Sequence, residues 1–302
     1  MAFYISRLAG YFYNIATLGQ RVRRIEERLQ QQNKHNHYTH EKLNSIIRKL
    51  YLDDLDTGYP YRLTINRFSL MSQLDTDGLL VALLKEAGTN SKSFVDIGCG
   101  RSGGNSGLLA GELGWKGLMV DASKTAVRRV AERFSHNPNV QAVCTFVTPQ
   151  NINQMLTDAG YVGEVDIFSL DIDSYDYWVF QSMTVCNPRI LLLEYNAAFG
   201  PDKCVTVPID AQLDNTPKGY HGASLRALVK LAESKGYRLV SCDQGGANAL
   251  FLRSDVATHV PGVDVSMAFR MSVCRKDPFG QTVRDPDIYD VIKKASLDLN
   301  YV

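Results

Sequence analysis

Residues 93–109, Ser-Phe-Val-Asp-Ile-Gly-Cys-Gly-Arg-Ser-Gly-Gly-Asn-Ser-Gly-Leu-Leu, restrict the fold more than any other stretch of this chain. A short β-prone apolar run (Phe94, Val95, Ile97) takes in Asp96 and then meets Gly98, Gly100, Gly103 and Gly104. An apolar helical stretch opens near Asn105. Glycines at a strand-to-helix turn let the backbone bend sharply and let a ligand approach the main chain, while the helix start offers free N–H groups. A second apolar run, Leu118-Met119-Val120, ends in Asp121. In doubly wound nucleotide folds an acid about twenty residues beyond the glycine turn accepts hydrogen bonds from a ribose. Together the two features point to a nucleoside-containing cofactor, with Gly98, Gly100 and Asp121 at its binding edge.

The alternation continues downstream. Strands are expected near 94–97, 117–121, 140–147, 165–170 and 189–194, with helices near 105–113, 123–135, 150–158 and 174–183 between them. A helix over 70–87 leads into the first strand. Strands separated by helices imply a parallel sheet with right-handed crossovers. A helix at 222–236 follows, and then two apolar runs, 237–242 and 247–253, flank Gln244-Gly245-Gly246 as an antiparallel hairpin. The fold class is therefore α/β: a doubly wound, mostly parallel, seven-stranded Rossmann-like sheet. Five parallel strands closed by a hairpin is the pattern of class I methyltransferases and not of dinucleotide dehydrogenases. The chain divides into a helical segment 1–55, a connecting loop and helix 56–92, the α/β domain 93–253, and an extension 254–302.

The first segment carries its own signal. Tyr4, Leu8, Tyr11, Ile15, Leu18, Val22, Ile25 and Leu29 alternate spacings of four and three, and the register resumes at Leu43, Ile46 and Leu50. A sustained seven-residue repeat predicts a coiled coil and a homo-oligomer; a pair of amphipathic helices packed on the α/β domain is the other reading. Residues 1–50 hold nine Lys/Arg against three Asp/Glu, although the whole chain is near neutral at +1. With Phe3, Tyr4, Tyr11, Phe12 and Tyr13 beside Arg21, Arg23 and Arg24, the same segment also suits peripheral contact with an anionic membrane face. No global field favours nucleic acid. Six cysteines are scattered without ligand spacing, which predicts reduced thiols in a cytoplasmic protein. No apolar run approaches the ~20 residues of a membrane span, and the N-terminus lacks a signal-peptide pattern.

Several strings resemble the FkbM-type branch of S-adenosylmethionine-dependent methyltransferases. They are Ser72-Gln73-Leu-Asp-Thr-Asp77-Gly78, Val95-Asp-Ile-Gly98, Asn105-Ser-Gly-Leu-Leu109 and Gly114-Trp115-Lys116-Gly117-Leu-Met-Val-Asp121. Ser169-Leu-Asp171-Ile-Asp173-Ser-Tyr-Asp176-Tyr-Trp178, Glu194-Tyr-Asn196-Ala-Ala-Phe-Gly-Pro201, Gly222-Ala-Ser-Leu225 and Lys235-Gly236-Tyr237-Arg238-Leu239 complete the series. Ser174-Tyr175 stand where Gly-Asn is expected, and Arg101-Ser102 where an acid and Gly are common. The resemblance covers residues 68–253 and implies cofactor roles for Asp96, Gly98, Gly100 and Asp121, with S-adenosylmethionine as the cofactor.

Ligands on an open parallel sheet bind beyond the carboxyl ends of its strands. The fourth strand runs into Asp171-Ile-Asp173 and the fifth into Glu194-Tyr195-Asn196. Adjacent strand ends lie ~5 Å apart, so Asp171, Glu194 and Asn196 are the expected oxygen ligands of a Mg²⁺ ion. The other reading has Asp171 and Asp173 capping the next helix or touching the cofactor amine. Tyr195 stands where catechol-type O-methyltransferases carry a further metal ligand. Asp173 and His221 are the candidate catalytic residues, His221 as a general base in a glycine-bounded loop. Tyr195, Phe199, Tyr220 and Trp178 form either an aromatic sugar platform or a local core under the long 195–221 connection. The expected activity is O-methylation of a carbohydrate or surface-glycan hydroxyl. A phenolic or polyketide acceptor is the alternative within the class, and a coiled-coil scaffold that keeps a cofactor fold is the alternative outside it.

Overall fold

The computed structural model describes residues 63, 67–72, 74–211, 219–273, 289–290, 292–293 and 297–302. The expected coiled coil and membrane-facing helix of residues 1–55 lie outside the described residues. Among the described residues, no helix is long and apolar enough to cross a membrane.

Five parallel strands form most of the sheet: β1 (Ser93–Ile97), β2 (Lys116–Asp121), β3 (Val140–Cys144), β4 (Gly163–Leu170) and β5 (Cys186–Glu194). A two-residue β6 (Val205–Thr206) pairs with a late β9 (Asn300–Tyr301) in a separate ribbon. β7 (Tyr237–Cys242) and β8 (Asn248–Arg253) form the antiparallel hairpin, and β8 inserts between β5 and β7. The sheet order is β3-β2-β1-β4-β5-β8-β7. This is the α/β, Rossmann-like, seven-stranded mixed sheet expected from the sequence, five parallel strands closed by an antiparallel hairpin.

The helices are α1 (Thr76–Ala87), α2 (Gly107–Gly111), α3 (Lys124–Arg133), α4 (Ile152–Asp158), α5 (Asp176–Ser182), α6 (Leu225–Ser234) and α7 (Val265–Ala268). Ser123 and Ser224 cap α3 and α6, each hydroxyl accepting the third amide beyond it.

Period-two alternation divides the strand side chains between two cores. Val95, Ile97, Leu118, Val120, Phe168, Leu170, Leu191 and Leu193 face one side, packed with residues of α4, α5 and α6. Phe94, Met119, Ile167, Ile190, Leu192 and Leu250 face the other, with residues of α1, α2 and α3. Burial on both faces explains why the central strands read as unbroken apolar runs.

Three of the boundaries that differ from the sequence reading have a visible cause. The first helix begins at Thr76 and not near residue 70, because the Asp77 carboxylate accepts the amides of Leu70 (2.6 Å), Met71 (2.6 Å) and Ser72 (2.9 Å) and holds them in a turn. β3 stops at Cys144 because its partner β2 ends opposite it, at Asp121. The helix expected over 105–113 contracts to five residues, its approach taken up by turns through Asn105 and Ser106.

Candidate active site

The glycine turn after β1 is built by contacts that leave little freedom. Gly98 has φ +86°, and a Cβ placed there would lie 1.6 Å from the carbonyl oxygen of Asp171. The first turn and the end of β4 can thus approach each other only through glycine. Gly98 and Cys99 donate to the Val120 carbonyl, and Gly100 donates to Asp121 Oδ2 at 2.9 Å. Gly100 has φ +58° with open space where a Cβ would point. Asp121 Oδ1 accepts the Ser123 amide at 2.7 Å. The half-buried carboxylate is thereby oriented by two backbone donors. Each carboxylate oxygen accepts more than one hydrogen bond, so capacity remains for ribose hydroxyls. The turn and Asp121 fit the cofactor expected of them.

Asp96 has a different place. It is buried, and its Oδ2 accepts the Ser106 amide at 2.8 Å, tying the glycine loop to the strand beneath it. Burial pushes its carboxyl up to about 7, against the opposing pull of the Ser106 and Asn105 donors. Asn105, which the sequence reading did not single out, is buried and donates to Ser169 Oγ (3.0 Å) and Asn248 Oδ1 (3.2 Å). It links the turn to β4 and β8. An Asn inside a glycine-rich string carries no signal that it will reach across the sheet.

At the carboxyl ends of β4 and β5 several acids converge. Burial first, and then neighbouring carboxylates, push the Asp171 and Glu194 carboxyls well above the usual range. Asp176 opens α5 and is fully buried; it accepts the Ile172 (2.9 Å) and Ser174 (3.1 Å) amides and so closes the 172–174 turn. Burial raises its carboxyl to about 6. Within that turn Asp173 adopts φ +53°, and its side chain is 80 % exposed.

The long connection after β5 brings His221 back to this place. His221 Nδ1 lies 3.8 Å from Asp173 Oδ1 and 4.0 Å from Glu194 Oε2. The three ligand-type atoms all lie within 4.8 Å of one another. Two contacts fix the returning loop: Gly222 donates to the Ser174 carbonyl, and Asn196 Nδ2 donates to the carbonyls of Gly219 (2.6 Å) and His221 (2.8 Å).

Of the residues expected at the site, Asp173, Glu194 and His221 come together, with the charge of Asp171 acting on Glu194. Asn196 does not join them. Its Oδ1 accepts the Ala198 amide, its Nδ2 holds the His221 loop, and its side chain is buried among main-chain partners. The oxygen-only set Asp171, Glu194 and Asn196 is therefore not the one brought together: the Asn196 amide is engaged with the main chain, and the gathered ligand atoms are those of Asp173, Glu194 and His221. The aromatic residues resolve as a local core. Tyr195, Phe199 and Tyr220 are buried, with Tyr195 and Tyr220 donating their hydroxyls to the Arg270 and Asp298 carbonyls. Trp178 donates to the Val207 carbonyl.

No protein-family model and no curated protein matches the chain. Solved structures do. An O-methyltransferase from Bacillus cereus in complex with SAH is 13% identical, the match covering 72% of this chain and 89% of that one at a TM-score of 0.39. A SAM-dependent methyltransferase from Aquifex aeolicus is 14% identical, covering 65% and 97% at 0.36. The N-terminal domain of EvdMO1 with SAH bound is 11% identical, covering 62% and 90% at 0.39. Likeness at this level concerns chain path; the chemistry has to come from the residues.

Proposed function

We propose that this chain is an S-adenosylmethionine-dependent O-methyltransferase of the FkbM type, acting on a hydroxyl of a carbohydrate or glycan precursor. One observation carries the reading. The same sheet edge presents a glycine turn with an oriented carboxylate, Asp121, and a polar cluster of Asp173, Glu194 and His221 reached by solvent through Asp173. When bound, S-adenosylmethionine supplies an electrophilic methyl group on a positively charged sulfur.

The residues of the chain do the rest. Asp121 holds the ribose hydroxyls, and the turn at Gly98–Gly100 gives the cofactor access to main-chain atoms. The half-buried acids at the ends of β4 and β5 favour a positive charge nearby. The Asp173–Glu194–His221 cluster binds the acceptor hydroxyl and removes its proton as the methyl transfers. Orientation of the hydroxyl supplies much of the acceleration. A sugar or glycan fits the exposed, oxygen-rich mouth at Asp173 and is the acceptor class that the family resemblance implies.

The test has two halves. Titration calorimetry with S-adenosylhomocysteine should give saturable binding, and Asp121→Ala should weaken it roughly 10- to 100-fold, as expected for losing charge-assisted hydrogen bonds. Labelled-methyl transfer to a panel of sugars and glycan precursors should then show turnover. Binding without transfer to any hydroxyl acceptor would favour a scaffold that keeps a cofactor fold, and absence of binding would end the proposal.

A further inference from the structure

We infer that Asp173, Glu194 and His221 form a site for a divalent transition-metal cation of the Mn²⁺–Zn²⁺ class, set where the ends of β4 and β5 meet the loop before α6. The inference rests on the reading of that cluster as the place where the acceptor hydroxyl binds. It names a ligand set and a metal class different from the all-oxygen Mg²⁺ site expected from sequence.

Three observations carry it. The ligand atoms come from three separate segments: the β4–α5 turn, the end of β5, and the loop before α6. They gather within 4.8 Å, with Nδ1 at 3.8 and 4.0 Å from the two carboxylate oxygens. Those separations are too long for hydrogen bonds. They are slightly wider than the ~3–3.5 Å between neighbouring ligand atoms around a cation with ~2.1 Å bonds, so small side-chain adjustments suffice.

Next, Glu194 Oε2 is occluded from solvent and makes no hydrogen bond. A buried carboxylate oxygen without a donor is costly, and a cation is one of the few partners that satisfies it. Finally, the supporting contacts are already present. Asn196 Nδ2 holds the carbonyls of Gly219 and His221, and Gly222 donates to Ser174, so the imidazole loop and the Asp173 turn are locked together. Such outer contacts orient ligands in metal sites.

The donor set decides the metal. One imidazole with two carboxylates suits borderline cations such as Mn²⁺, Fe²⁺ and Zn²⁺, whereas Mg²⁺ prefers oxygen alone. Three protein ligands leave coordination positions open, and the exposed Asp173 puts that opening toward solvent. A hydroxyl oxygen occupying an open position would be acidified.

The experiment uses the full chain, stripped with chelator and free of any S-adenosyl compound. Mn²⁺ is titrated by loss of the free-ion paramagnetic signal, and Zn²⁺ and Mg²⁺ by calorimetry. The expected result is one Mn²⁺ or Zn²⁺ per chain, with Mg²⁺ bound roughly 100-fold more weakly, given the imidazole donor. The bound Mn²⁺ should show nitrogen hyperfine coupling from a single imidazole. His221→Ala and Glu194→Gln should each abolish stoichiometric binding. Glu132→Gln, at an exposed acid of α3, should retain the stoichiometry and the nitrogen coupling, and metal-free melting curves would report whether each variant folds. No stoichiometric Mn²⁺ or Zn²⁺ binding by the folded wild-type chain would overturn the inference. So would binding that survives His221→Ala without nitrogen coupling. Methyl transfer by a chain that binds no metal would sink this inference alone; a metal-loaded chain that transfers no methyl would sink the proposed activity alone.

Discussion

At the scale of single residues, two glycines in one turn carry different burdens. Gly98 is in the left-handed region and has a carbonyl oxygen where its side chain would be. Gly98→Ala should cost more than about 4 kcal/mol, the range reserved for severe overpacking and strain, and should abolish folded protein in a thermal melt. Gly100 shares the left-handed φ but has open space beside it. Gly100→Ala should cost only about 1 kcal/mol and leave the fold intact. Asp96 supplies a pH signature. Its carboxyl lies at about 7 in the folded chain against an ordinary 3.8. Between those values the folded state keeps a proton that the unfolded state has released. Stability contributed by this group therefore falls as pH rises from about 4 to 7 and stays low above that. Asp96→Asn should flatten that fall, by an amount on the order of a few kcal/mol, in denaturant melts compared at pH 4.5 and pH 8.

At the scale of elements, the connection between β5 and α6 is the part that makes the site. Asn196→Ala removes two bonds to carbonyls, at Gly219 and His221, and one acceptor from the Ala198 amide. We expect faster hydrogen exchange over 219–223 and a loss of turnover, with S-adenosylhomocysteine affinity changed little. The hairpin has its own clamp: the Arg238 guanidinium donates to the carbonyls of Arg253, Val256, Ala257 and Val260. Arg238→Ala should destabilise the fold by roughly 2–3 kcal/mol, since several carbonyls lose a charged donor at once. The strands of this sheet were legible because parallel strands buried on both faces must be continuous apolar runs bounded by turns. The hairpin was legible from Gln244-Gly245-Gly246 between two such runs. What periodicity could not reveal was convergence across sequence distance. Asp171, Asp173 and Glu194 announced themselves at strand ends, but nothing local to Asn196 says that its amide spans to Gly219 and His221. Nor does the turn sequence show that Asp176, and not Asp171, closes the backbone. The aromatic residues misled in the same way, because a Tyr in a loop looks alike whether its hydroxyl meets solvent or a buried carbonyl.

At the scale of the whole molecule, the heptad register of residues 1–55 bears on assembly. We propose that it drives self-association. Sedimentation of the full chain should then give an oligomer, and a chain beginning at residue 56 should sediment as a monomer that still binds S-adenosylhomocysteine. The sheet order has a further consequence. β5 carries Ile190-Leu191-Leu192-Leu193, and the strand that covers its outer side is β8, which the chain supplies only at Asn248–Arg253. During synthesis from the N-terminus, that apolar ladder must wait with its amides and carbonyls open until the hairpin emerges. Chains that stall or are cut before residue 248 would present a sticky, unprotected border to one another. Such fragments should collect in inclusion bodies while the intact chain stays dispersed, so this protein's hazard in the cell lies in the interval before its last sheet strand arrives.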